Sequence, residues 1–257
     1  MSTLCRIAHE SLEGARYAEL VDSDVYTLPN GVPFDTVYIE TREARFSLED
    51  VKLLPPVSPS KIVCVGRNYR EHAAELGNKM PDEPLLFLKA PSAVIGPEDR
   101  IELPKASQQV EHEGELGVVI GRTARNVSES EDALNYVYGY TCVNDVTARD
   151  LQRKDVQFTR GKSFDTFCPV GPCLATGLDL AALEIRGRVN GQVRQKSNTR
   201  ELIFDVGYLV WFVTRVMTLL PGDMITTGTP SGIGPLEAGD VVEVEVEGVG
   251  VLRNPVS

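Results

Sequence analysis

The chain has 257 residues, 42% hydrophobic and 25% charged, which is apolar material for one large domain or a domain with a small appendage. It carries 37 acidic against 26 basic residues, and the net charge of −11 argues against nucleic acid or an anionic membrane as partner. An anionic substrate would therefore need local positive charge, from a metal ion or from clustered Lys and Arg side chains. No apolar run approaches the ~20 residues of a membrane span. The start of the chain lacks a secretory pattern, and the five cysteines, without zinc-site spacing, read as reduced core residues. Cytoplasm is the expected compartment.

In chain order, residues 1–57 read as short strands at 17–21, 25–28 and 37–39 with a turn at Pro29-Asn-Gly31. Pro55, Pro56 and Pro59 then mark a linker, so a small N-terminal β-rich domain (1–57) is expected before a main domain (58–257). The main domain opens with a buried strand at 61–65 and a helix at 68–76 with Asn68 as its N-cap, followed by a polar loop at 77–84. Strands follow at 85–89, 116–120 and 138–143, with a capping box at Ser128–Glu131 and a short helix at 147–153. Asn190-Gly191 predicts a two-residue hairpin between strands at 185–189 and 193–195. A long helix at 206–219, capped by Asp205 and apolar nearly all round, predicts burial in the domain or at a subunit interface. Strands at 224–227, 241–247 and 249–252 close the chain. Strands outnumber helices without regular alternation, so the fold class is α+β, β-rich.

The stretch from Val110 to Gly121 holds the first chemical signal. Glu111, Glu113 and Glu115 recur at period two, which places three carboxylates on one face about 7 Å apart. Such charges repel unless a cation lies between them, and a hard divalent ion suits oxygen ligands. Val242-Glu-Val-Glu-Val-Glu247 is an internal control, because its strict alternation with valine reads as a half-buried strand with its charges in water. In the first run the opposite face offers only His112 and Gly114. A metal needs a further ligand, and Asp145, after the 138–143 strand, either supplies it or caps the next helix. Arg149 and Gln152 share a face of that helix; Lys162 sits in a segment bounded by Gly161 and Pro169. His72 and Glu75, three apart, form either a surface ion pair or a histidine base with its orienting carboxylate.

Five motifs appear in order: Gly66-Arg-Asn-Tyr-x-x-His72-x-x-Glu75, Glu113-x-Glu115-Leu-Gly-Val-Val, Asn144-Asp-Val-Thr-Ala-Arg-Asp150, Gly161-Lys-Ser-Phe164 and Thr226-Thr-Gly-Thr-Pro-Ser-Gly-Ile-Gly234. Together they resemble the fumarylacetoacetate hydrolase family over about residues 61–255, and residues 1–57 resemble the small N-terminal domain of many bacterial members. The resemblance implies a mixed β-sandwich roll, usually a homodimer, with Mg²⁺ or Mn²⁺ held by Glu113, Glu115 and Asp145. It further implies Lys162 as the active-site lysine, Arg67, Tyr69, Arg149 and Gln152 at the pocket, and Thr229 on the substrate carboxylate. The dyad His72–Glu75 would lie on a lid, and Glu111 falls outside the ligand pattern. The expected activity is metal-dependent C–C hydrolysis of an acylpyruvate-type 2-oxo acid through an enolate. Oxaloacetate decarboxylation and isomerisation of 2-hydroxyhepta-2,4-diene-1,7-dioate are the alternatives on the same site. A non-enzymatic Ca²⁺-binding β-protein has only the acidic strand at 241–247 in its favour.

Overall fold

The structure, a computed structural model, describes residues 3–29, 34, 42–70 and 80–257. The strand expected at 37–39, the helix at 68–76 beyond Arg70, and both His72 and Glu75 lie outside the described residues.

Twelve described strands form one sheet. Its main path runs Leu85–Lys89, Ile62–Gly66, Met224–Thr226, Gly114–Ile120, Val137–Asn144, Cys168–Ala175, Thr3–Ala8, Arg16–Val21, Asp24–Thr27 and Arg45–Ser47. Val94–Ile95 joins beside Cys168–Ala175, and Lys52–Leu54 beside Thr3–Ala8. The N-terminal strands thus hydrogen-bond directly onto the main sheet, through Thr3↔Ala175 and Leu4↔Leu174. Leu53 and Leu54, just before the prolines that mark the expected linker, lie in a strand paired with Thr3–Ala8.

A four-stranded antiparallel sheet, ordered Gln192–Asn198, Glu184–Val189, Val241–Val246 and Gly250–Pro255, covers part of one face of the large sheet. Leu116, Val118 and Cys142 from the large sheet share a core with Ile185, Val244 and Leu252 from the smaller one. Val63, Val65 and the 206–216 helix pack into the same core, while Val119, Val143, Ile62 and Phe167 build a second core on the other face. With both faces covered, Gly114–Ile120 is buried at every position, as an apolar β-branched strand in the middle of a layered fold should be. Gly117 is required there, since a Cβ would come within 2.6 Å of Val143 and 2.9 Å of Thr141. The β-rich α+β class read from the sequence is the one observed.

Local chemistry accounts for most element ends. Asn190 and Gly191 have φ of +53° and +75°, the left-handed pair of a tight hairpin turn. Asp205 caps the helix Val206–Val216 by accepting from Tyr208 N at 2.8 Å. Leu209, Val210 and Val213 bury one side of that helix, whereas Tyr208 and Val216 are exposed within the chain. Asp132, rather than Ser128, caps the single turn Ala133–Tyr136. Among the described residues no helix is long and apolar enough to cross a membrane.

Candidate active site

A β-kink at Glu113 divides the acidic stretch into Val110–His112, paired in a separate three-stranded sheet, and Gly114–Ile120 in the large one. Glu113 N donates to Asn144 Oδ1 at 2.9 Å and Asp145 N donates to Glu113 O at 2.8 Å, just beyond the last ladder pair Gly114↔Asn144. These two bonds hold Asp145 beside Glu113. The helix Arg149–Lys154 starts at Ala148 without a side-chain cap, so the capping alternative for Asp145 does not apply.

Glu113, Glu115 and Asp145 converge, each offering a carboxylate oxygen within 4.8 Å of the others, and all three are buried. Their cations are unevenly shared. Lys162 Nζ donates to Glu113 Oε2 at 2.8 Å and to Asp145 Oδ2 at 2.7 Å. Lys89 Nζ donates to the other Asp145 oxygen at 2.6 Å, and Arg149 pairs with Glu113 through Nη2 and with Glu111 through Nε at 2.8 Å. Glu115 has no ion pair among the described residues; Gly228 N donates to its Oε2 at 2.8 Å. Among the described residues the four buried carboxylates Glu111, Glu113, Glu115 and Asp145 face the three buried cations Lys89, Arg149 and Lys162, and when all four are ionised the unpaired charge is at Glu115.

The ionisation equilibria follow that distribution. Burial raises the Glu115 carboxyl well above its usual range, and repulsion from Asp145 and Glu113 adds to it. Burial acts the same way on Glu113, but Lys162 and Arg149 outweigh it and hold that carboxyl far below its ordinary value. Lys162 is opposed by burial yet held protonated by Asp145 and Glu113. An unbalanced buried carboxylate among oxygen ligands is what a divalent ion would neutralise, so the residues present fit such a metal.

The cavity beside the triad has a volume of about 230 Å³. Arg67, Arg149, Gln152, Lys162 and Thr229 all line it, together with the three carboxylates. Phe87 and Phe158, packed edge to face, form an apolar wall over which the Lys162 ammonium sits 5.0 Å from the Phe87 ring centre. Arg67 is exposed with φ of +59°, a left-handed backbone unusual for a side chain of its size. Tyr69, which the resemblance places at the pocket, is buried in the core and absent from the lining, its hydroxyl without a hydrogen-bond partner among the described residues. Its backbone is bridged to Leu202, and burial, with Glu115 nearby, pushes its hydroxyl pKa up. Gly161 lets the turn bearing Lys162 approach the 149–154 helix, because a Cβ would sit 3.0 Å from Gln152 N.

Fumarylacetoacetate (FAA) hydrolase C-terminal is the family model that matches residues 61–257. The chain belongs to the fumarylacetoacetate hydrolase family. It is 42% identical over 226 residues to the oxaloacetate tautomerase YisK of Bacillus subtilis, covering 82% of this chain and 75% of that one. The crystal structure of a 2-hydroxyhepta-2,4-diene-1,7-dioate isomerase from Mycobacterium marinum superposes with a TM-score of 0.89 at 43% identity, covering 100% and 98% of the two chains. A 5-carboxymethyl-2-hydroxymuconate delta-isomerase from Mycobacterium smegmatis gives 0.88 at 46% identity, covering 99% and 98%. Family membership makes the chain one of a superfamily of enzymes, with a buried acidic triad that could bind a metal ion.

Three functional neighbours escaped the sequence reading. Lys89 ends the strand Leu85–Lys89, where a lone lysine usually reaches solvent, but it is buried against Asp145. Asn68, expected to cap a helix, accepts from Phe204 N at 2.8 Å and donates to Thr227 O at 2.8 Å. It thereby braces the loop that carries Gly228 and Thr229. Gln195, in the smaller sheet, reaches the same loop from the other side.

Proposed function

We propose that this chain is a divalent-metal-dependent enzyme of small 2-oxo acids, and that its principal reaction is enol–keto proton exchange on a substrate such as oxaloacetate. The observation that carries the reading is Glu115, a buried carboxylate without an ion pair among the described residues, beside two that have theirs. Glu113, Glu115 and Asp145 would hold Mg²⁺ or Mn²⁺, which supplies Lewis-acid polarisation of a keto oxygen when bound. A dication would turn the single unbalanced negative charge into a net positive one, favouring an anionic acid. The cavity, at about 230 Å³, is below the ~300–1,000 Å³ of drug-sized ligand sites, which suits a molecule of a few carbons.

Lys162, whose ammonium donates to Glu113 and Asp145, would place positive charge at the substrate oxygen as an enolate develops. Loss of the enol O–H proton or of the keto C–H proton, in either case to solvent water, gives the same enolate, and solvent returns a proton to carbon or to oxygen; stabilising the enolate therefore speeds exchange both ways. Thr229, across the pocket, would meet the carboxylate, with Arg67 at the rim. The named relatives, a tautomerase and isomerases, support this reaction class.

C–C hydrolysis of an acylpyruvate is the second reading, favoured by one sequence feature: His72 and Glu75 follow the pocket residue Arg67 closely in the chain. Hydrolysis needs a water activated by such a dyad, and proton exchange does not. Oxaloacetate enol decay and acylpyruvate cleavage, each followed by ultraviolet absorbance, test both. EDTA should abolish either activity and Mg²⁺ or Mn²⁺ should restore it; activity untouched by EDTA sinks the metal-dependent reading. His72→Ala should stop hydrolysis and leave enol–keto exchange largely in place.

A further inference from the structure

We propose that Gln195 is a positioning residue for the pocket: its amide, brought in from the smaller sheet, sets the Thr229 hydroxyl toward the anionic end of the substrate. The proposal rests on the oxo-acid reading above.

Gln195 is fully buried although both neighbours, Arg194 and Lys196, are exposed. A register shift explains how. Gly187 pairs with Gln195 but Arg188 pairs with Val193, so Arg194 is an extra residue that turns Gln195 inward. Two glycines clear its path. A Cβ at Gly187 would lie 2.7 Å from Gln195 Oε1, and one at Gly114 would lie 3.3 Å from the same atom. Gly232 makes a third close approach, its missing Cβ directed at Arg194 O.

The amide's orientation is fixed by what it meets. Gly114 N can only donate, and it lies 2.9 Å from Gln195 Oε1; His112 Nδ1 is 3.2 Å from the same oxygen. Nε2 therefore faces Thr229 Oγ1 at 2.7 Å and Pro230 O at 2.9 Å, donating to both. Because Thr229 Oγ1 accepts from Gln195, its own proton is free to be given away, and it goes to Gly114 O at 3.0 Å. A substrate carboxylate is a stronger acceptor for that proton than a carbonyl. Donation from Gln195 polarises the hydroxyl and favours the exchange. Gln195 touches no substrate; it acts through Thr229.

Gln195→Glu keeps the length and the acceptor for Gly114 N–H but removes both donors. With Mg²⁺ present it should raise KM for oxaloacetate ~10-fold, the scale of one hydrogen bond, with kcat within about twofold. Gly187→Ala, which adds no charge and only displaces the amide, should raise KM in the same direction. In a Thr229→Val background, Gln195→Glu should change KM no further than about twofold, because the group it sets is gone. A purely electrostatic effect of the new carboxylate would persist there, and a purely structural role would lower Tm or the active fraction with KM unchanged; either result overturns the proposal. Unchanged KM in both Gln195→Glu and Gly187→Ala does so as well. Absence of turnover by the wild-type protein would instead overturn the functional reading on which it stands.

Discussion

Two stretches of this chain carry glutamates at period two, and they meet opposite fates. In Val241–Val246 the valines at 242, 244 and 246 are buried, while Glu243 and Glu245 face outward. Glu245 lies opposite Arg186 in the ladder, pairs with Arg188, and its side chain is 31% exposed. In Val110–Ile120 the glutamates are buried too: Glu113 is 5% exposed and Glu115 2%. The difference lies in the second layer. The smaller sheet covers the Gly114 side, with Val244 3.3 Å from where a Cβ would be, and the other side closes over the pocket. Period two determines which side chains share a face; whether that face meets water depends on what packs over it.

The comparison can be broken at its strongest point first. Glu115→Gln, Glu113→Gln and Asp145→Asn should each lower metal affinity more than ~100-fold, beyond the range for residues that merely orient ligands. Lys162→Met should reduce kcat by ~10²–10³-fold with metal still bound, read from steady-state kinetics with saturating Mn²⁺. Lys89→Met leaves one Asp145 oxygen without its cation; it should weaken Mn²⁺ binding ~10–100-fold and cost about 3 kcal/mol in denaturant unfolding. At the other stretch, Glu243→Gln and Glu245→Gln should leave activity intact and shift stability by less than about 1 kcal/mol.

A pH series sharpens the contrast. The native state keeps the Glu115 proton to a higher pH than the unfolded chain does, so in EDTA this group's contribution to stability falls as pH rises. Glu113, with its lowered pKa, contributes in the opposite sense, and its stabilisation is lost as pH falls. Comparing Glu115→Gln with wild type isolates the first effect. The variant's Tm advantage in EDTA should widen from about pH 5 to about pH 8 and reverse when Mn²⁺ is added. A constant difference would mean that Glu115 is not the strained carboxylate.

Much of the site was legible before any coordinates. Glu113 and Glu115 stand out, with Glu111, because their run lacks apolar residues between the charges; Asp145, open on pattern alone between ligand and helix cap, is singled out by the family resemblance. Glu111 shows where pattern stops: it shares the period, yet Arg149 takes it away from the triad. Lys89 was hidden because a lysine after an apolar strand looks solvated, and its partner lies far off in sequence. Gln195 was hidden by the bulge at Arg194, since alternation carried across the hairpin does not reveal which residue is the extra one. The strands read at 17–21 and 25–28 are present, whereas Thr3–Ala8 and Cys168–Ala175, which no local pattern singled out, are the two that pair and join the N-terminal strands to the main sheet.

Calorimetric titration of metal-free protein with Mn²⁺ tests the central claim most directly, using wild type, Glu115→Gln and Glu245→Gln side by side. One Mn²⁺ per chain should bind to wild type and to Glu245→Gln, with binding lost or more than ~100-fold weaker in Glu115→Gln. Stoichiometric binding of undiminished affinity in Glu115→Gln would contradict it.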